Sequence, residues 1–164
     1  MEYVPIQPRL DANANARPGL RQAMLTLQRE VESSGLEHSL LELVKIRASQ
    51  INHCAYCIDM HTKDARALGE TEQRIYAISA WREAPFFTAR ERAALEWTEA
   101  VTRVADTQVP DDAYEIVRRE FSEAEIVSLT FALVAINGWN RLAVAFRLPA
   151  GAYQSRRGEV TTQV

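Results

Sequence analysis

Apolar residues recur at three- and four-residue intervals along most of the chain, the spacing of amphipathic helices. Leu20, Met24, Leu27 and Val31 predict a first helix from Leu20 to Ser33, and Gly35 supplies its stop. Leu40, Leu41, Val44, Ile46, Ala48 and Ile51 predict a second, largely buried helix from Glu37 to Ile51, followed by a break at Asn52-His53. A third helix runs from Cys54 to Leu68 and stops at Gly69, and Thr71 is the N-cap of a fourth that Pro85 closes. Thr88-Ala89-Arg90-Glu91 forms a capping box opening a fifth helix, with Ala94, Leu95, Trp97, Val101 and Val104 on its apolar positions. Pro110 begins a short sixth helix to Phe121. A second capping box, Ser122-Glu123-Ala124-Glu125, launches a longer helix from Glu123 to Phe146 that ends before Pro149 and Gly151.

No alternating run of β-branched or aromatic residues is flanked by a hairpin dipeptide, so the pattern predicts an all-α domain of about seven helices. Pro5, Pro8, Pro18 and Gly19 mark residues 1–19 as an extended arm, residues 20–148 as the helical domain and residues 149–164 as a polar tail. The last helix is apolar on nearly every side, which calls for cover from its own domain and from a second subunit, or else a central place in the core of a monomer.

Composition narrows the function classes. A chain of 164 residues, 47% hydrophobic and 25% charged, is ordinary for one globular domain. A net charge of -3 leaves no electrostatic footprint for nucleic acid or an anionic membrane. The first nineteen residues lack the basic start and apolar run of a secretory signal. The most apolar stretch, Ile126 to Ile136, is interrupted by Ser128 and Thr130 and falls short of a bilayer span. A cytosolic location is expected, where a Cys-x-x-Cys pair is more often catalytic, redox-sensing or metal-binding than a structural disulfide.

The two cysteines of the chain, Cys54 and Cys57, stand within a turn of His61, in a stretch patterned as helix. On one α-helix the three would fall inside a wedge of roughly 60°, so both sulfurs and the imidazole would share a face. Unsatisfied N–H groups at the head of that helix favour a thiolate, and His61 lies one turn from Cys57, positioned to act as its base. Residues three apart on a helix are also close enough to form a disulfide. Glu42 would lie about 18 Å from Cys54 on a straight helix. The Asn52-His53 break lets two helices pack side by side and return Glu42 to His61, where a carboxylate would orient the imidazole. Each residue also has a plainer explanation. Cys54, Cys57, His61 and Glu42 could be four zinc ligands, the cysteines could be inert core residues, and spacing alone reads Glu42 as a solvated helix residue. His38 and His53 read as surface or packing residues, and Trp81, Trp97 and Trp139 as core or interface aromatics.

The pattern Glu42-x11-Cys54-x2-Cys57-x3-His61, carried in the continuous run from Leu41 to Ala65, resembles the signature of the alkylhydroperoxidase D-like members of the carboxymuconolactone decarboxylase family. Ile136-Asn137-Gly138-Trp139-Asn140-Arg141 resembles the later segment of single-domain members. The resemblance implies an all-helical fold assembled as a homo-oligomer, a trimer or hexamer, with each site near a subunit interface. It further implies that the cysteine pair reduces hydroperoxides without a cofactor. Carried over by position, Cys57 matches the sulfur attacked by peroxide and Cys54 the partner that resolves the sulfenic acid to a disulfide, while His61 and Glu42 match the proton relay. The reductant in better-known members is a dihydrolipoyl group, so an external dithiol is the implied partner. Tyr56 stands where those members carry a histidine between the cysteines. The decarboxylase branch generally lacks the cysteine pair, which argues against that reaction. A thiol-disulfide oxidoreductase and a zinc-stabilised or purely structural oligomer are the other functions the residues allow.

Overall fold

Nine α-helices and no strand are found among the residues described by the computed structural model, residue 4 and residues 6–157. Single turns flank two of the expected helices: α1 (Ala12–Asn15) and α7 (Val104–Thr107). The seven expected helices correspond to α2 (Pro18–Glu32), α3 (His38–Ile51), α4 (Ala55–Ala67), α5 (Glu72–Ala77), α6 (Ala89–Thr102), α8 (Asp111–Glu120) and α9 (Glu123–Phe146). Thr88 and Ser122 both form complete capping boxes at the heads of α6 and α9, and Thr71 caps α5 by accepting the Arg74 N–H.

Three of the expected element bounds differ in the structure. The segment expected as an extended arm contains α1 and the start of α2, because proline in the first turn of a helix forfeits no hydrogen bond. Arg9 of that arm donates from its backbone N–H to the Phe146 carbonyl and from its guanidinium to that of Ala145, closing the end of α9. The fourth helix stops early: α5 tightens into a 3-10 turn at Ile78–Ala80, and the carbonyls of Arg82, Ala84 and Phe87 are taken by the Arg92 guanidinium instead of a continuing helix. Val104 lies outside α6 and is exposed. Residues of the polar tail between 151 and 157 lie against α4. Residues 1–3 and 5 of the expected arm and residues 158–164 of the expected tail lie outside the described residues.

Helix α3 runs between two clusters of buried side chains. Leu40, Leu41, Val44 and Ala48 enter the larger one with residues of α6 and α9, while Leu43 and Ile46 enter a smaller one with Ile75, Ile78, Trp81 and Leu95. Nearly every face of α3 is therefore closed to water, Glu42 included. Helix α9 packs against α2, α3, α4, α6 and α8. At the contact with α2, a Cβ on Gly138 would stand 2.8 Å from the Met24 methyl, the mobile end of a flexible side chain. By length and composition alone α9 is the one described helix suited to cross a membrane, and its packing gives many of its apolar residues a different use. Its far side is not covered by any of the described residues: Val127, Phe131 and Val134 are each about half exposed.

Candidate active site

The break after α3 is a helix stop and a helix start sharing one residue. Asn52 is the C-cap of α3, His53 takes a left-handed conformation (φ 54°), and Cys54 returns to extended backbone as the N-cap of α4. The Cys54 N–H donates to the Ser49 carbonyl at 2.9 Å and the His53 N–H to that of Gln50 at 3.2 Å, the two bonds of a Schellman motif. Cys54 is thus not on the helical edge with Cys57 and His61, as a continuous helix would require, but at its head. Its sulfur accepts the Cys57 N–H at 3.3 Å, one of the N–H groups that the first turn leaves open. The two cysteines, with Cα atoms 5.4 Å apart, are joined as a disulfide.

His61 follows Cys57 by one turn of α4, and the antiparallel packing of α3 and α4 brings Glu42 back to it. The imidazole Nδ1 and Glu42 Oε2 are 2.7 Å apart. The site is closed within the single chain, with Cys54, Cys57 and Glu42 each 1% exposed and His61 5%. Glu42, which spacing alone reads as solvated, is a buried charge, and a buried charge needs partners. Lys45, one turn on and itself buried, donates to Oε1 at 3.1 Å. Burial pushes the Glu42 carboxyl up, but the hydrogen bond and charge of His61 and the charge of Lys45 outweigh it and hold the group at about 2. An ionised carboxylate only accepts, so Nδ1 carries the hydrogen in this bond. In the neutral imidazole Nε2 is then the basic nitrogen.

Several groups of the site lacked a signal in the sequence. Asp64, one turn beyond His61, is buried and accepts the hydroxyls of Tyr153 at 2.9 Å and Ser155 at 2.6 Å. Burial and the Asp64 carboxylate push the Tyr153 phenol up to about 12, so it remains a donor well into the alkaline range. Arg157 pairs with Glu32 at 2.7 Å and faces Glu42 at 3.7 Å and Asp64 at 3.8 Å. Lys63 donates to the carbonyls of Gly151 and Tyr153. Residues 151–157 therefore form a strap that reaches the Asp64 and Glu42 side chains. Glu42, His61 and Asp64 offer ligand atoms within 4.8 Å of one another, and the cysteine sulfurs are bonded to each other. Lys45 and Arg157 balance the two carboxylates. His38 and His53 are exposed, Trp81 and Trp97 are core residues, and Trp139 is half-buried.

Fold and site define an all-helical protein in which a disulfide-forming cysteine pair adjoins a buried carboxylate–imidazole pair. Residues 18–100 match the carboxymuconolactone decarboxylase family model. The uncharacterised protein YdfG of Bacillus subtilis is 45% identical over 122 residues, 74% of this chain and 83% of that protein. A solved protein of unknown function from Agrobacterium tumefaciens, provisionally assigned to the antioxidant defence proteins as AhpD, is 48% identical. It superposes with a TM-score of 0.85 over 90% of this chain and all of its own. An uncharacterised peroxidase-related protein from Silicibacter shares the fold at 24% identity and a TM-score of 0.72, over 82% of this chain and 72% of that one. The chain belongs to the carboxymuconolactone decarboxylase family, and its fold is that of the AhpD-like members.

Proposed function

We propose that the protein is a dithiol peroxidase that reduces hydroperoxides with Cys57 and Cys54. The observation that carries this reading is the buried Glu42–His61 hydrogen bond one turn beyond a cysteine pair that closes on itself. His61 takes the Cys57 proton at Nε2, with Glu42 orienting the ring and stabilising the imidazolium. The thiolate attacks the peroxide, the O–O bond breaks, Cys57 becomes a sulfenic acid, and the leaving alkoxide or hydroxide receives the proton back. Cys54, whose anion is stabilised by the Cys57 N–H, attacks the sulfenic sulfur; the S–S bond forms and the S–O bond breaks with loss of water. An external dithiol of the dihydrolipoyl type supplies two electrons by thiol-disulfide exchange and resets the pair. A reducing cytosol suits that cycle.

A second reading, reduction of a partner protein's disulfide, is disfavoured by burial. Sulfurs 1% exposed meet a small peroxide after a modest opening, whereas a protein disulfide needs a broad approach. The test is peroxide consumption with a lipoyl-type dithiol, for the wild type and Cys57→Ser. The wild type turns over and the variant does not; an inactive wild type, or an undiminished variant, would remove the proposal.

A further inference from the structure

The shared stop and start at Asn52–Cys54 is held from below by a chain of side-chain amides. Asn52 Nδ2 donates to Asn137 Oδ1 and to Asn140 Oδ1, both at 2.9 Å. Asn140, 1% exposed, donates to Ser49 Oγ at 3.0 Å, and Ser49 is the residue whose carbonyl takes the Cys54 N–H. Asn137 in turn donates to the Leu133 carbonyl at 2.8 Å and to Thr102 Oγ1 at 3.2 Å. One amide two residues before Cys54 is thereby fastened to α9, and through it to α3 and α6.

That fastening acts against a local strain. His53 occupies the left-handed position where a Schellman motif usually has glycine, a conformation that a residue with a Cβ adopts only under strain. Cys54, the next residue, lies outside α4, so the helix does not fix its direction. We propose that Asn52 is a positioning residue for the redox pair: it fixes the α3–α4 elbow so that the Cys54 sulfur stays within bonding reach of Cys57. The inference rests on the dithiol reading and names the residue that sets its second step. The step is attack of the Cys54 thiolate on the Cys57 sulfenic sulfur, forming S–S, breaking S–O and releasing hydroxide that is protonated to water. Its rate depends on the effective concentration of one sulfur at the other, and a loose elbow dilutes it. Attack of Cys57 on peroxide does not involve Cys54 and is not dependent on the elbow in this way.

The test compares the wild type with Asn52→Ala, which removes both donors, and Asn52→Asp, which keeps the shape but sets a carboxylate against two amide oxygens. The first measurement is the equilibrium of the Cys54–Cys57 disulfide with glutathione redox buffers. Both variants lower that constant about tenfold, a potential raised by about 30 mV. The second is one equivalent of hydrogen peroxide with dimedone present. Both variants yield about tenfold more trapped sulfenic acid on Cys57, while the rate of peroxide loss stays within about twofold of wild type. Unchanged redox equilibrium and trapping in both variants overturns the inference. Equal slowing of both steps with a lowered Tm also overturns it, since that describes a residue needed only for folding. The glutathione equilibrium requires no peroxidase activity, so failure of the proposed function leaves this test intact.

Discussion

His61 and Glu42, nineteen residues apart in the chain, share a 2.7 Å hydrogen bond between Nδ1 and Oε2 that is almost wholly removed from solvent. The bond fixes which ring nitrogen holds the hydrogen, and so which one can take a proton from a thiol.

His61→Ala removes the base and lowers turnover on the order of 10² or more, in steady-state peroxide consumption with a dithiol. Glu42→Gln keeps the volume but frees the imidazole to adopt either tautomer, and lowers turnover on the order of 10-fold or more. Full activity in either variant takes that residue out of the mechanism.

Acid stability follows from the same carboxyl. Glu42 is held at about 2, below its ordinary 4.5. A group depressed in the folded state stabilises the protein above its unfolded value and loses that contribution as pH falls through the folded one. Unfolding free energy from urea titrations therefore declines between about pH 4.5 and pH 2, with roughly 3 kcal/mol of the decline due to Glu42. In Glu42→Gln that part of the slope is absent; identical slopes would show that the ion pair contributes nothing.

The bare stripe of Val127, Phe131 and Val134 on α9 is the surface on which a homo-oligomer is expected to close. Light scattering after size exclusion should give a multiple of the monomer mass for the wild type, and a smaller species for Phe131→Glu. A monomeric wild type would leave the stripe without that role.

Removal of residues 149–164 lifts the strap from Asp64 and Glu42. In the reduced protein, alkylation of Cys57 by iodoacetamide accelerates about tenfold, the far-ultraviolet helix signal being unchanged. An equal rate would mean that the site opens elsewhere.

Most of the helical plan was legible because its signals are local. Thr71, Thr88 and Ser122 act through hydrogen bonds to residues three positions on, and the apolar spacing needs nothing beyond one helix. The pairing of Glu42 with His61 was legible only through the break at Asn52-His53, since it depends on two helices doubling back. A carboxylate within so apolar a helix was the available sign that Glu42 is buried. Asp64 shares a face with His61 at the same one-turn spacing, but that spacing on a polar helix is common. Tyr153, Ser155 and Arg157 gave no signal, because a polar stretch without periodicity reads the same whether it is solvated or folded onto a buried acid. Cys54 stands one residue outside the helix that the pattern predicts, within the usual spread of helix ends, and that single residue separates a sulfur on the helix from one that caps it.

The strap also bears on how the protein is handled. Cargo fused downstream of Arg157 hangs from the segment that lies over Asp64 and Glu42, and its drag reaches Glu42 through one guanidinium. Fusions at the other end load Arg9 and the tip of α9 instead. Preparations labelled at opposite termini are thus expected to differ in their kinetics, and that difference is a property of the label.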